Sequence, residues 1–152
     1  MCRLASDIRR WIENCDHEAV FTQGGCFHFA LRLSERFGCE IRGIETNQQG
    51  TLGHVWGVKK ASGEGVDIRG IYPECFLAAL AYGGKDAPTP QRITVEDVKK
   101  LIAGKGFPPD LNDKMYALAD WIIEKHERFK SLRGRPLSAS EEANLGNAID
   151  GE

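Results

Sequence analysis

A helix bracketed by glycines, followed at once by alternating strands, constrains this chain more than any other stretch. Gly24-Gly25-Cys26 is followed by Phe27, Ala30, Leu31, Leu33 and Phe37 at helical spacing, with Arg32, Ser34, Glu35 and Arg36 between them. Gly38 stands where a C-terminal glycine stop belongs. Beyond it, 39–45 alternates as a strand does, Asn47-Gln48-Gln49-Gly50 is a polar turn, and 52–58 is a second strand. A hairpin loop over 61–65 leads into a third strand, 66–70. A helix running into an antiparallel meander predicts an α+β fold, with the Cys26 helix packed on a small antiparallel sheet.

The flanks read as helices. Leu4, Ile8, Trp11 and Ile12 share one face of an expected helix over 4–15. Asn14-Cys15-Asp16-His17 reads as its exit, and Val20-Phe21 as the approach to the glycine turn. Pro73 opens a helix through Phe76, Leu77, Leu80 and Ala81 to Gly83-Gly84. Residues 85–91, with Pro88 and Pro90, read as a loop. Thr94 with Asp97 has capping-box chemistry and starts a helix to about Ala103. Asp110 or Asn112 opens the longest helix, reaching about Leu132, with Met115, Leu118, Ala119, Ile122 and Phe129 as its stripe. One domain over 1–133 is expected, followed by a polar, flexible tail over 134–152.

Composition removes several function classes. The chain has 152 residues and a net charge of −2, so no nucleic-acid or anionic-membrane surface is expected. No apolar run is long enough to span a bilayer. The first eight residues are broken up by charges and lack the apolar centre of a signal peptide. The five cysteines (Cys2, Cys15, Cys26, Cys39, Cys75) are odd in number and contain no CxxC pair, which argues against a disulfide scaffold and a zinc finger. A cytoplasmic protein is expected; export without a cleavable signal also fits. Neither a metal nor an organic cofactor is implied.

One group of side chains carries chemistry. A thiol on the first turn of a helix meets unpaired N–H groups and the positive end of the dipole, which favour thiolate. Taken alone, Cys26 reads more readily as a small buried apolar residue. His54 and Asp67 tilt that balance. His54 sits mid-strand in Gly53-His54-Val55-Trp56, where an imidazole is normally avoided, and Asp67 lies on the next strand in Val66-Asp67-Ile68. With Gly63 near the hairpin tip, His54 and Asp67 fall close to opposite one another, within hydrogen-bond reach.

Gly24-Gly25-Cys26, Gly53-His54-Val55-Trp56 and Val66-Asp67, in that order, resemble the core of the transglutaminase-like and papain-like cysteine hydrolases. The resemblance covers residues 22–70. It implies Cys26 as nucleophile, His54 as general base and then acid, and Asp67 as the group that orients His54. It also implies acyl transfer through a thioester, in the manner of a thiol protease, deamidase or transglutaminase, on a protein or peptide substrate. Gln23, Gly25 and Trp56 are the oxyanion and substrate-binding candidates, with the Cys26 backbone N–H the stronger oxyanion donor. Trp56 alternates with His54 and Val58, so shielding the imidazole and ordinary core packing are both open to it.

Other polar candidates have blander readings. His28 reads as a surface or structural histidine with substrate binding also open to it, His17 and His126 as solvated, Arg69 as a solvated strand-end charge before a binder of a substrate carboxylate, and Cys15, Cys39 and Cys75 as packing residues. A second function class also fits the sequence. The same fold without chemistry would be a binding module that docks a protein partner through its C-terminal helices.

Overall fold

The computed structural model describes residues 6–22, 25–45, 52–84 and 87–133. The chain opens with two helices, α1 (Ser6–Asn14) and α2 (His17–Thr22). The second stands where the sequence reads as an exit and an approach segment. Asp16 starts it: its Oδ1 accepts the Ala19 N–H at 3.1 Å, which satisfies one of the orphan donors of a new helix.

Helix α3 (Cys26–Phe37) follows as expected, with Gly25 at its N-cap. A Cβ on Gly25 would run into the Val20 carbonyl and lie 2.7 Å from Met115 Cε, so only glycine lets the turn sit this close. At the far end Gly38 adopts φ 70°, the left-handed conformation, and its N–H donates to Ser34 O at 2.9 Å.

The fold is α+β with one small antiparallel sheet. Strands β1 (Glu40–Glu45), β2 (Leu52–Val58), β3 (Gly65–Asp67), β4 (Gly70–Tyr72) and β5 (Gln91–Ile93) stand in the order β4-β3-β2-β1-β5. Every neighbouring pair runs antiparallel. The third strand is shorter than its apolar pattern suggests. It stops at Asp67, and Ile68-Arg69 turn the chain back into β4, with Gly70 at φ 133° making the reversal. Strand β5 is three residues long with only Ile93 buried, too little for an alternation to register.

Helices cover both faces of the sheet. Helix α4 (Glu74–Tyr82) lays Leu77 and Ala78 against Trp56 and Val58 of β2. Helix α5 (Val95–Gly104) begins as the sequence predicts, Thr94 Oγ1 accepting the Asp97 N–H at 3.0 Å, and packs Val98 and Ile102 beside Leu31, Ile41 and Val55. Helix α6 (Pro109–Lys125) buries Met115, Leu118, Ala119 and Ile122 as predicted. Together with Phe29, Leu33 and Val66 its apolar stripe forms the largest core cluster. Full burial of each such side chain contributes about 1.5–3 kcal/mol relative to exposure.

The longest helix is broken rather than continuous. His126 is extended (φ −86°, ψ 136°), and a single 3₁₀ turn (Glu127–Phe129) and α7 (Lys130–Arg133) follow. Arg133 Nη1 donates at 2.7 Å to both Ile123 O and His126 O, and so ties α7 back across the break. The bend turns Phe129 into the core against Phe29. No helix among the described residues is long and apolar enough to cross a membrane. The expected turn at 47–50 and the polar tail from 134 lie outside the described residues.

Candidate active site

Cys26 is the first residue of α3 and is 2% exposed. It is walled by Phe27, Ala30, Leu31 and Val55. His54 rises from β2 and is 3% exposed, and Asp67 at the end of β3 is equally covered. The His54 Nε2–H donates to Asp67 Oδ2 at 3.0 Å. The two residues are not directly opposite, as the sequence suggests. Gly57 pairs with Val66 and Val58 with Gly65, so Asp67 continues toward Trp56 and the bond runs diagonally across the ladder. Same-face diagonal neighbours remain within side-chain reach, which is why the offset costs no contact.

Asp67 is held from a second side. Its Oδ1 accepts the Arg69 backbone N–H at 2.8 Å, and its Oδ2 accepts Arg69 Nη1 at 2.6 Å. One carboxylate oxygen is therefore shared by an imidazole and a guanidinium. Sequence reasoning placed Arg69 in solvent at a strand end. The Ile68-Arg69 turn instead folds it back over the carboxylate, a reversal that a straight strand reading cannot contain.

The charge state of His54 follows from its neighbours. Burial alone would lower its pKa. The hydrogen bond that His54 donates to Asp67 opposes this, the nearby Cys26 sulfur raises the pKa further, and the Asp67 charge adds to it; the result is pushed up to about 9. At neutral pH the ring carries its proton. Cys26 thus lies near enough to raise the pKa of His54, which is itself bonded to Asp67. Burial raises the pKa of both Cys15 and Cys39, and Cys75 is exposed on α4.

Trp56 is fully buried, its ring 5.9 Å from that of His54, so it flanks the imidazole and fills core at once. Its Nε1–H donates to Glu74 Oε2 at 3.2 Å, and Glu74 Oε1 pairs with Arg42 Nη1 at 3.1 Å. This brace ties β2 to α4 and β1 behind the histidine, and no local sequence pattern marks it. Gly25 lies directly before the cysteine as the capping residue; its carbonyl accepts the His28 N–H at 3.0 Å. Gln23 lies outside the described residues. His28 is fully buried rather than superficial. Its Nε2 pairs with Asn112 Oδ1 at 2.7 Å, while its Nδ1 has no partner among the described residues. Burial, only partly offset by Asn112, lowers its pKa.

Among the described residues, no group of three His, Cys, Asp or Glu side chains is arranged to hold a metal ion. No family model, curated protein or solved structure matches the chain.

Proposed function

We propose that this chain is a small cysteine-dependent hydrolase or acyltransferase with a papain-like or transglutaminase-like core, acting on an amide, isopeptide or ester bond of a protein or peptide. The observation that carries the reading is a thiol on the first turn of a helix, coupled to a buried imidazole that a carboxylate holds protonated near neutrality. A sulfur facing an imidazolium attacks as thiolate. The new S–C bond pushes electrons onto the carbonyl oxygen, which takes hydrogen bonds from the Cys26 backbone N–H, a donor with no intrahelical partner. As the tetrahedral intermediate collapses, the C–N or C–O bond breaks and His54 gives its proton to the leaving group. The neutral ring then takes a proton from water or an acceptor amine, which attacks the thioester and releases Cys26. Asp67 keeps Nε2–H directed at itself, which leaves the other ring nitrogen for this work.

Cys26 and His54 are covered at rest, so turnover requires local opening, and labelling reads opening and reactivity together. Mass-spectrometric mapping after limited iodoacetamide treatment at pH 7 is expected to find Cys26 modified faster than the other four thiols. A screen of peptide amide, ester and isopeptide substrates is expected to find turnover that Cys26→Ala abolishes with the fold intact. Equal turnover by the variant would reject the nucleophile.

The same burial favours a second reading, an interaction module without chemistry. Its docking surface would lie on α4 and the end of β4, because Tyr72, Phe76, Leu80 and Tyr82 are the exposed large apolar side chains among the described residues, whereas the stripe of α6 is consumed in the core. A partner that binds wild type and Cys26→Ala equally, with no turnover by either, would decide for it.

A further inference from the structure

Beside the Ile68-Arg69 turn lies an open cleft of about 360 Å³, within the range of small-ligand sites. Its apolar wall is Ile68, Tyr72, Phe76 and Leu80, and its charged groups are Arg69, Arg128 and Glu18. Tyr72 and Phe76 meet with ring centroids 5.1 Å apart, and Phe76 and Leu80 stay 45% and 44% exposed, one helical turn apart on α4.

The charges are not balanced. Arg128 Nε–H donates to Ile68 O at 2.8 Å and its Nη1 to His126 Nδ1 at 2.8 Å, while the Glu18 and Asp67 charges act on it only from a distance, without an ion pair among the described residues. Arg69 reaches Glu18 only at 3.8 Å, and Glu18 is 67% exposed, a loose contact at the rim. Asp67 is already engaged by His54 and Arg69. One guanidinium with open donors therefore borders an apolar wall, and a second is held on that side only by a weak surface pair.

We propose that this cleft binds the C-terminal residue of a peptide, its carboxylate taken by Arg128 and Arg69 and its apolar side chain lying against Tyr72, Phe76 and Leu80. A planar guanidinium is matched to a carboxylate. A C-terminal residue carries the carboxylate and the apolar group on one Cα, as a cavity of this size requires; an internal Asp or Glu lacks the apolar half. A free amino acid would bring an ammonium group beside two guanidiniums, with only the exposed Glu18 at the rim to offset it, so the acylated amine of a peptide is the better fit. The exposed faces of Phe76 and Leu80 give the preceding residues a path out over α4. The site does not depend on Cys26 chemistry, because occupancy is read without turnover.

The test is an NMR titration of the full-length chain with N-acetyl-phenylalanine, its amide, free phenylalanine and 3-phenylpropionate. N-acetyl-phenylalanine is expected to saturate with a dissociation constant of about 1 mM, as befits a ligand of so few atoms. Shifts should centre on Ile68, Tyr72 and Leu80. Arg128→Gln should weaken binding about tenfold, and Phe76→Ala, at an exposed position that the fold does not need, should weaken it several-fold. Glu18→Gln should tighten it by removing the competing carboxylate. Equal binding of the amide, or no loss with both Arg128→Gln and Phe76→Ala, would overturn the carboxylate site. Equal binding of free phenylalanine or 3-phenylpropionate would overturn its assignment to a peptide terminus.

Discussion

At the scale of single residues, His54 is the centre of the site, because its charge is set by groups from two other stretches of chain, Cys26 on α3 and Asp67 on β3. Its pKa of about 9 needs Asp67 and Cys26 to outweigh burial, which pulls the other way. Asp67→Asn should therefore lower the His54 titration midpoint from about 9, since a neutral amide leaves desolvation with less opposition. Ring ¹⁵N shifts followed against pH report this directly, and a midpoint unchanged in the variant would remove Asp67 from the account. The identities of Cys26, His54 and Asp67 were legible because each stands at a place its residue type rarely occupies by chance: a thiol after paired glycines, an imidazole mid-strand, and a carboxylate in an apolar strand. Arg69 and Glu74 were not legible as partners. Their roles come from a two-residue turn and from a helix packed against a strand 18 positions away in sequence, neither of which leaves a local pattern.

At the scale of elements, the site depends on how tightly the α2–α3 turn fits. Gly25→Ala forces a methyl group against the Val20 carbonyl and Met115, and overpacking of this kind costs about 1–3 kcal/mol. Urea denaturation should show that loss, whereas an unchanged midpoint would mean that the turn has room. Thr94→Ala should cost about 1 kcal/mol through the lost cap of α5 with no effect at Cys26, and so serves as a control for destabilisation alone. Elements with a strong period or clear start and stop signals, α3, β1, β2, α4, α5 and α6, could be read from sequence. Those held by tertiary contact could not. Strand β5 exists because β1 offers it an edge, pairing Ile41 with Ile93. The break at His126 exists because Phe129 gains a place beside Phe29.

At the scale of the whole molecule, two buried histidines bracket the pH range of stability from opposite sides. His54 has a folded pKa of about 9 against an ordinary value of 6.5, so its contribution is fully present below about pH 6.5 and is lost as pH rises through 9. That shift corresponds to about 3 kcal/mol. His28 has a lowered folded pKa, so its contribution is present above the ordinary value and is lost as pH falls. Urea midpoints should thus decline toward both pH 5 and pH 9, with His54→Ala removing the alkaline decline; a profile flat from pH 6.5 to 9.5 in the wild type would deny His54 its charge. The central claim is that Cys26 and His54 act as one coupled pair. Its most direct measurement is the His54 ring titration by ¹⁵N NMR in wild type and in Cys26→Ala. The expected result is a midpoint near 9 that drops when the sulfur is removed. A midpoint near 6.5, or one indifferent to Cys26, would contradict it.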